Sequence, residues 1–244
     1  MLKQLIFSFL VSVPLCSVPV QAHTPVEFME VLEGEPSNLI EHDIELKGVL
    51  DTQKMATELA GPYHFSLAVS CMGRDVKTPK AYLSWYKIVD PKSEAPRKIL
   101  VVDLVRGDDK TALTIESAEY FLSPTQRITM GPPSAIPHGL EHYKAYRIVG
   151  AASRELDVEL GKADGPTKRR VGKPLFVCVP AEEWHHDDHF PASHPKNCFV
   201  VYELDPQDHS EQISLIDQFG LNQIRTGKSR WLCVSAMLAT KSAD

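Results

Sequence analysis

The densest grouping of metal-ligating side chains in the sequence is Trp184-His185-His186-Asp187-Asp188-His189, with His194 shortly after. Imidazole and carboxylate are ligands for zinc, nickel, copper or manganese. His185 and His189 are spaced to meet one ion on a helical turn, and His186 and His189 to meet one in a bent loop. His185, His186, Asp187, His189 and His194 are therefore the candidate ligands of a divalent transition metal. No other cofactor is expected. The chain has no His-Glu-x-x-His frame to turn such an ion into a protease centre. The competing reading is a hydrophilic connecting loop, kept irregular by Pro191 and Pro195.

Other chemistry is weaker. Asn222-Gln223-Ile224-Arg225-Thr226-Gly227-Lys228-Ser229 is one residue short of a phosphate-binding loop. Such a loop must open a helix whose N-terminus faces the anion, whereas Trp231-Leu232-Cys233-Val234 reads as strand, and the Gly-Lys recurs as Gly172-Lys173 before Pro174. A turn before a strand accounts for both. No serine occupies a Gly-x-Ser-x-Gly elbow. Cys71, Cys178 and Cys233 lie in apolar runs, which dull a thiol. Tyr86, Tyr146, Phe176 and Trp231 are candidates for a carbohydrate-stacking row, although their recurrence favours packing within a core.

The elements that must position these residues begin after a leader. Lys3, the apolar run Leu5 to Leu15 and the small-residue pattern Val20-Gln21-Ala22 read as a signal peptide over residues 1–22. The expected location is the periplasm or the extracellular space. No later run is long and apolar enough for a membrane span. The net charge of −6 supplies no basic face for nucleic acid. Of 5 cysteines, cleavage would leave Cys71, Cys178, Cys198 and Cys233, an even number in an exported chain. All four are disulfide candidates with the pairing open, and buried free thiols are the alternative.

The rest of the chain repeats. Thr226-Gly227-Lys228-Ser229-Arg230-Trp231-Leu232-Cys233-Val234-Ser235-Ala236 matches Val171-Gly172-Lys173-Pro174-Leu175-Phe176-Val177-Cys178-Val179-Pro180-Ala181, and a fainter copy runs Ile115 to Pro124. Each copy holds three strand-like pieces. The first is aromatic, with Tyr86, Tyr146 and Tyr202 in register. The second is Val102-Asp103-Leu104, Val158-Glu159-Leu160 and Ile213-Ser214-Leu215. The third carries Tyr120, Phe176 and Trp231. Alternation of apolar and polar residues with aromatic and β-branched types is what half-buried strands want. A period of about 55–60 residues means one supersecondary unit copied, each needing neighbours to bury its face.

The prediction is an all-β or mainly β protein. Residues 23–78 form an N-terminal β-rich region with a short helix over 51–60, and 79–241 form a domain of three repeats at about 80–128, 141–181 and 197–241. The body is a barrel, a trefoil-like shape or packed sheets, with at most one or two short helices. The N-terminal region also reads as a decayed fourth copy that lacks its first strand.

The motifs His142-Tyr143-x-x-Tyr146-Arg147-Ile148, Ile213-x-Leu215-x-Asp217-Gln218-Phe219, and Val177-Cys178-Val179-Pro180 with Leu232-Cys233-Val234-Ser235 resemble a repeat family of unknown function in exported bacterial proteins. The family's copies read His-Phe-x-Cys-Tyr-Lys-Val, Val-x-Leu-x-Asp-Gln-Phe and Leu-Cys-x-Pro, and the likeness covers about residues 80–241. Its first-strand Cys is Ala145 and Val201 here, while Cys198 falls on the opposite strand face, which argues against a disulfide within a repeat. The resemblance implies no activity. The reading is a non-catalytic exported binding or interaction module for a protein or surface-polymer partner. The alternative is a metal-binding or metal-dependent hydrolytic protein using residues 185–194.

Overall fold

A computed structural model describes residues 25–239 except 108, 130–134, 154, 163 and 164. The expected signal peptide lies outside the described residues. In chain order the strands are β1 (Phe28–Pro36), β2 (Ile40–Gly48), β3 (Met55–Ala68), β4 (Ser70–Cys71), β5 (Tyr82–Ile88), β6 (Arg97–Asp103) and β7 (Thr111–Ile128). They continue with β8 (Tyr143–Val149), β9 (Leu156–Lys162), β10 (Gly165–His185), β11 (Asp188–Phe190), β12 (Asn197–Gln207), β13 (Gln212–Asp217) and β14 (Gly220–Ala239). No helix occurs among the described residues, in line with the all-β expectation.

The three copies are β5–β7, β8–β10 and β12–β14. The N-terminal unit β1–β3 pairs in the same way, first strand included, because β1 lies antiparallel between β14 and β3. First and third strands alternate around a closed antiparallel ring, β3-β5-β7-β8-β10-β12-β14-β1 and back to β3.

The second strands stand outside this ring, so it is not a regular barrel. Each forms a hairpin with the first half of its own third strand. Each also pairs with the copy diagonally opposite. β2 takes the end of β10 and β6 the end of β14, while β13 takes the end of β7 and β9 takes β4, just beyond β3.

Every third strand therefore changes partners midway, and its register slips where it does so. The slips fall between Ala60 and His64, Ile115 and Tyr120, and Val171 and Phe176, and opposite Val31 to Gly34 on β14. Bulges of this kind bend a strand. The two Gly-Lys pairs sit at these bends, inside continuous strands rather than at turns before them. A Cβ on Gly172 would stand 3.1 Å from Glu203 Oε2, and one on Gly227 3.3 Å from Glu33 Cβ.

Alternation along the ring strands sorts side chains to two faces. Met29, Val31, Leu83, Trp85, Tyr143, Ala145, Phe199 and Val201 join residues of β7, β10 and β14 in one cluster that fills the ring. The opposite face, with Tyr86, Tyr146 and Tyr202, packs beneath the second-strand flaps through Ile44, Leu46, Val101, Val158 and Leu160.

Two element assignments change. Residues 51–60 form a turn and the start of β3 rather than a helix, because β3 pairs on one side with β2 and on the other with β5, and tertiary pairing overrides the helix propensity of this stretch. In the first copy the second-strand piece equivalent to Ile213–Leu215 is Ile99–Val101, since Val101 and Leu215 hold the same diagonal register. Leu104 lies in the longer turn that follows.

Candidate functional site

The His-rich segment is a hairpin added to the end of β10. His185 pairs with Asp188 and Trp184 with His189, and His186 takes a positive φ of 53° in the intervening turn. The five predicted ligands do not converge. His185 and His186 tilt over one another at 4.1 Å between centroids, and His185 sets its edge against Phe219. Asp187 is exposed at the turn. His189 stacks on Trp184 at 4.5 Å and reaches Glu182 at 3.4 Å. His194 is held by Glu141, whose Oε1 lies 2.7 Å from both its backbone nitrogen and Nδ1. Among the described residues no three His, Cys, Asp or Glu side chains group as a metal site.

The disulfide expectation is corrected. Cys71, Cys178, Cys198 and Cys233 are buried free thiols. Cys178 and Cys233 point into the ring, while Cys198 and Cys71 lie on the opposite face of the sheet. Burial pushes the Cys71 thiol up to about 12 and raises the other three as well. None has the thiolate character that reactivity requires.

The repeated tyrosines do have a function in the fold that their spacing did not reveal. Each donates its hydroxyl to an aspartate of the diagonal copy: Tyr86 to Asp217 Oδ2 at 2.7 Å, Tyr202 to Asp103 Oδ2 at 2.8 Å and Tyr146 to Asp51 Oδ1 at 2.6 Å. Asp103 and Asp217 hold the same place at the end of a second strand. At that place the N-terminal unit has Gly48, where a Cβ would come within 2.7 Å of the Tyr146 hydroxyl. Asp51 folds back from the turn instead, accepting from Gly48 N and from the buried Lys144 Nζ. Burial opposes ionisation of Asp51, but these donors outweigh it and hold its carboxyl below the usual range. Burial prevails at Asp217, which rises to about 6.

The Asp-Gln-Phe turn of the third copy goes further. Gln218 Oε1 accepts from Ser123 Oγ at 2.8 Å and lies 2.8 Å from His142 Nε2, while Gln218 Nε2 donates to Glu183 Oε2 at 2.6 Å. Glu183 is 0 % exposed and its Oε1 has no hydrogen-bond partner among the described residues. Burial pushes this carboxyl up to about 8 and pushes His142 down to about 4. Phe121 stacks on His142 and Phe190 meets its edge. Phe219 stacks on His42 at 4.3 Å and meets Tyr86 edge-on at 4.8 Å. This arrangement can hold a proton on Glu183 near neutral pH and ties three copies together. Its sequence signal was the Asp-Gln-Phe motif itself; Glu183 had none.

The postulated aromatic row is divided. Tyr86 and Tyr146 are fully buried under the flaps. Phe176 and Trp231 lie on the other face, at the end of the ring where the third strands enter it. They meet the equivalent residues of the remaining units, Tyr120 and His64. The centroid distances are 4.3 Å for His64–Trp231, 5.4 Å for His64–Tyr120, 5.5 Å for Tyr120–Phe176 and 5.5 Å for Phe176–Trp231. Trp85 lies beneath and donates Nε1 to Ser66 Oγ at 3.1 Å. Burial lowers His64 to about 4, so its ring is neutral. Beside Phe176 and Trp231 opens a cavity of about 310 Å³ with Arg147 and Lys173 in its wall.

Fold and motif contacts together define an all-β protein made of copies of one three-stranded unit. A family described as a repeat of unknown function, DUF7450, matches residues 82–235, and the chain belongs to that family. Comparison with curated proteins and with solved structures returned no match. The matched span holds the three copies; the N-terminal unit precedes it and closes the ring.

Proposed function

We propose that this is an exported, non-catalytic binding module whose ring mouth receives a surface polymer by stacking of sugar rings. The observation that carries this reading is the convergence of His64, Tyr120, Phe176 and Trp231 from four equivalent positions. Tyr120, Trp231 and His64 are only partly buried, and the adjoining cavity carries two cations. Aromatic faces with a few placed polar groups are the usual make-up of a ligand site. The motif carboxylates and tyrosines are occupied in holding copies together, which leaves them unsuited to a reaction. Pelleting with insoluble cell-wall glycan tests the proposal. The full chain is expected to co-sediment, and Trp231→Ala to lose at least tenfold in affinity while still unfolding cooperatively, at a melting temperature lowered by the lost aromatic packing. Equal binding by the variant would remove the mouth from consideration.

A second reading, capture of a divalent transition metal by His185, His186, Asp187, His189 and His194, is favoured by one neighbour. His42 Nε2 is buried without a hydrogen-bond partner among the described residues, and its ring lies 6.3 Å from that of His185. Equilibrium dialysis against zinc or nickel, with and without His185, His186 and His189 changed to Ala, checks it. Absence of stoichiometric metal in the unmodified protein would end it.

A further inference from the structure

The second strands can be compared position by position, because Leu46, Val101, Leu160 and Leu215 occupy one diagonal register. One residue earlier, on the alternate face, stand Glu45, Glu159 and Ser214, but Leu100 in the first copy. Three residues earlier stand Asp43, Asp157 and Gln212, but Lys98. Opposite Val101 the diagonal partner β14 places Leu238, where β7 has Arg127 and β10 and β4 have the buried Glu183 and Cys71. Leu100 pairs with Ala112 on one side and Ala239 on the other, which makes an apolar row across three strands. The polar second-strand position of the other three units is thus replaced at one place by a leucine flanked by two alanines.

That place is concave. Val49 and Leu50 of the N-terminal unit and Pro195 of the link into β12 wall it, giving a groove of about 580 Å³. The groove falls within the size of small-molecule sites, about 300–1,000 Å³. Lys98 and Lys196 line it, both exposed, and among the described residues neither is in an ion pair. An apolar trough with two unneutralised ammonium groups is complementary to one kind of molecule, an aliphatic tail with an anionic head.

We propose that this groove binds a free single-chain carboxylate amphiphile, its tail along Leu100 and Leu238 and its head between Lys98 and Lys196. The site is separate from the ring mouth and does not depend on what the mouth binds.

Calorimetry with dodecanoate below its micelle concentration tests the proposal on the full chain. One-to-one binding is expected, with hexanoate weaker by at least about a hundredfold because each lost methylene removes apolar contact. Dodecyltrimethylammonium, of equal tail length, is expected to bind at least tenfold more weakly. Lys98→Glu with Lys196→Glu should reverse that preference. Leu100→Glu installs the residue that β2 and β9 carry at the same register, and should abolish binding without lowering the melting temperature. No binding of dodecanoate, equal affinity for hexanoate, or indifference to the lysine changes would overturn the proposal. So would binding to anionic vesicles in the absence of any monomer binding. A Leu100→Glu variant that differs only by a smaller sedimentation coefficient would show a contact between two copies of the chain, and would overturn it as well.

Discussion

Three of the four diagonal contacts use a tyrosine and an aspartate; the fourth uses neither. Where the others have tyrosine, β1 has Leu32, and at the register of Asp217 the partner strand β9 has Lys162. The two members of the pair are absent together. Between the same two units the protein instead buries Arg169, 3 % exposed. Its Nη1 lies 3.1 Å from Glu30 Oε1, and its Nε lies 3.0 Å from Asp205 Oδ1; Ser229 donates to Glu30 at 2.6 Å. The comparison teaches that the architecture requires a polar tie between opposite units, and that a neutral hydroxyl donor or a guanidinium can serve. The two solutions differ in cost. A neutral phenol that loses its partner can be replaced almost isosterically, whereas a buried charge cannot be left alone.

The sharpest way to break the comparison is to remove the guanidinium. Arg169→Ala leaves Glu30 buried beside an empty space, and urea denaturation is expected to show a loss of about 3–5 kcal/mol. Arg169→Met with Glu30→Gln should recover much of it, because no charge is then stranded. If both variants lose equally, the tie is packing and not charge.

A smaller effect is expected at the tyrosines. Tyr86→Phe, Tyr146→Phe and Tyr202→Phe should each cost about 1–3 kcal/mol by stranding a carboxylate oxygen. Tyr202 is expected to lead, because Asp103 is 3 % exposed. Tyr146 should cost least, since Lys144 still donates to Asp51. Chemical denaturation of the three variants ranks them, and a reversed order would mean that the lysine is not a substitute donor.

The smallest effect concerns pH at the Gln218 junction. Glu183 is raised to about 8 and Asp217 to about 6, so the folded protein holds these protons more tightly than the unfolded chain. Their contribution is full at acid pH and is lost as pH rises through the raised values. His142 and His64 are lowered to about 4 and act oppositely, adding stability as pH rises from about 4 to 6.5. The unfolded imidazoles give up their last protons just above pH 6.5, after which Glu183 acts without that opposition. Stability is expected to fall by about 1 kcal/mol between pH 6.5 and 8, and Glu183→Gln to flatten the decline. A profile unchanged by that substitution would show that Glu183 does not titrate in this range.

The strands were legible because their two faces differ in chemistry. Tyr86, Tyr146 and Tyr202 fell into register by spacing alone, and alternation placed Cys198 opposite Val201, as the two core clusters bear out. The first strand of the N-terminal unit was not legible, since Met29-Glu30-Val31-Leu32 lacks the tyrosine that marks the others. Residues 51–60 resembled a helix because their composition favours one locally, and no local signal reports a partner strand on each side. The diagonal pairing was invisible for the same reason. Glu183 carried no signal because its burial is conferred by β2, β11 and Gln218, which are far apart in sequence. The His-rich segment had the composition of a connecting loop or a metal site; it forms a hairpin of β10 and β11, and its side chains go to separate neighbours.

The diagonal pairing of second strands has a consequence for how such a protein can grow. A solenoid gains length by adding a unit at one end, because each unit touches only its neighbours. Here each unit also needs the one opposite, and the last strand closes on the first. A fifth unit would find the circle shut and no unpaired opposite, and loss of one would break the ring and leave the opposite unit's flap with nothing to cover. The number of copies is therefore a property of the geometry, and the chain commits to its final arrangement only when its last strand has been made.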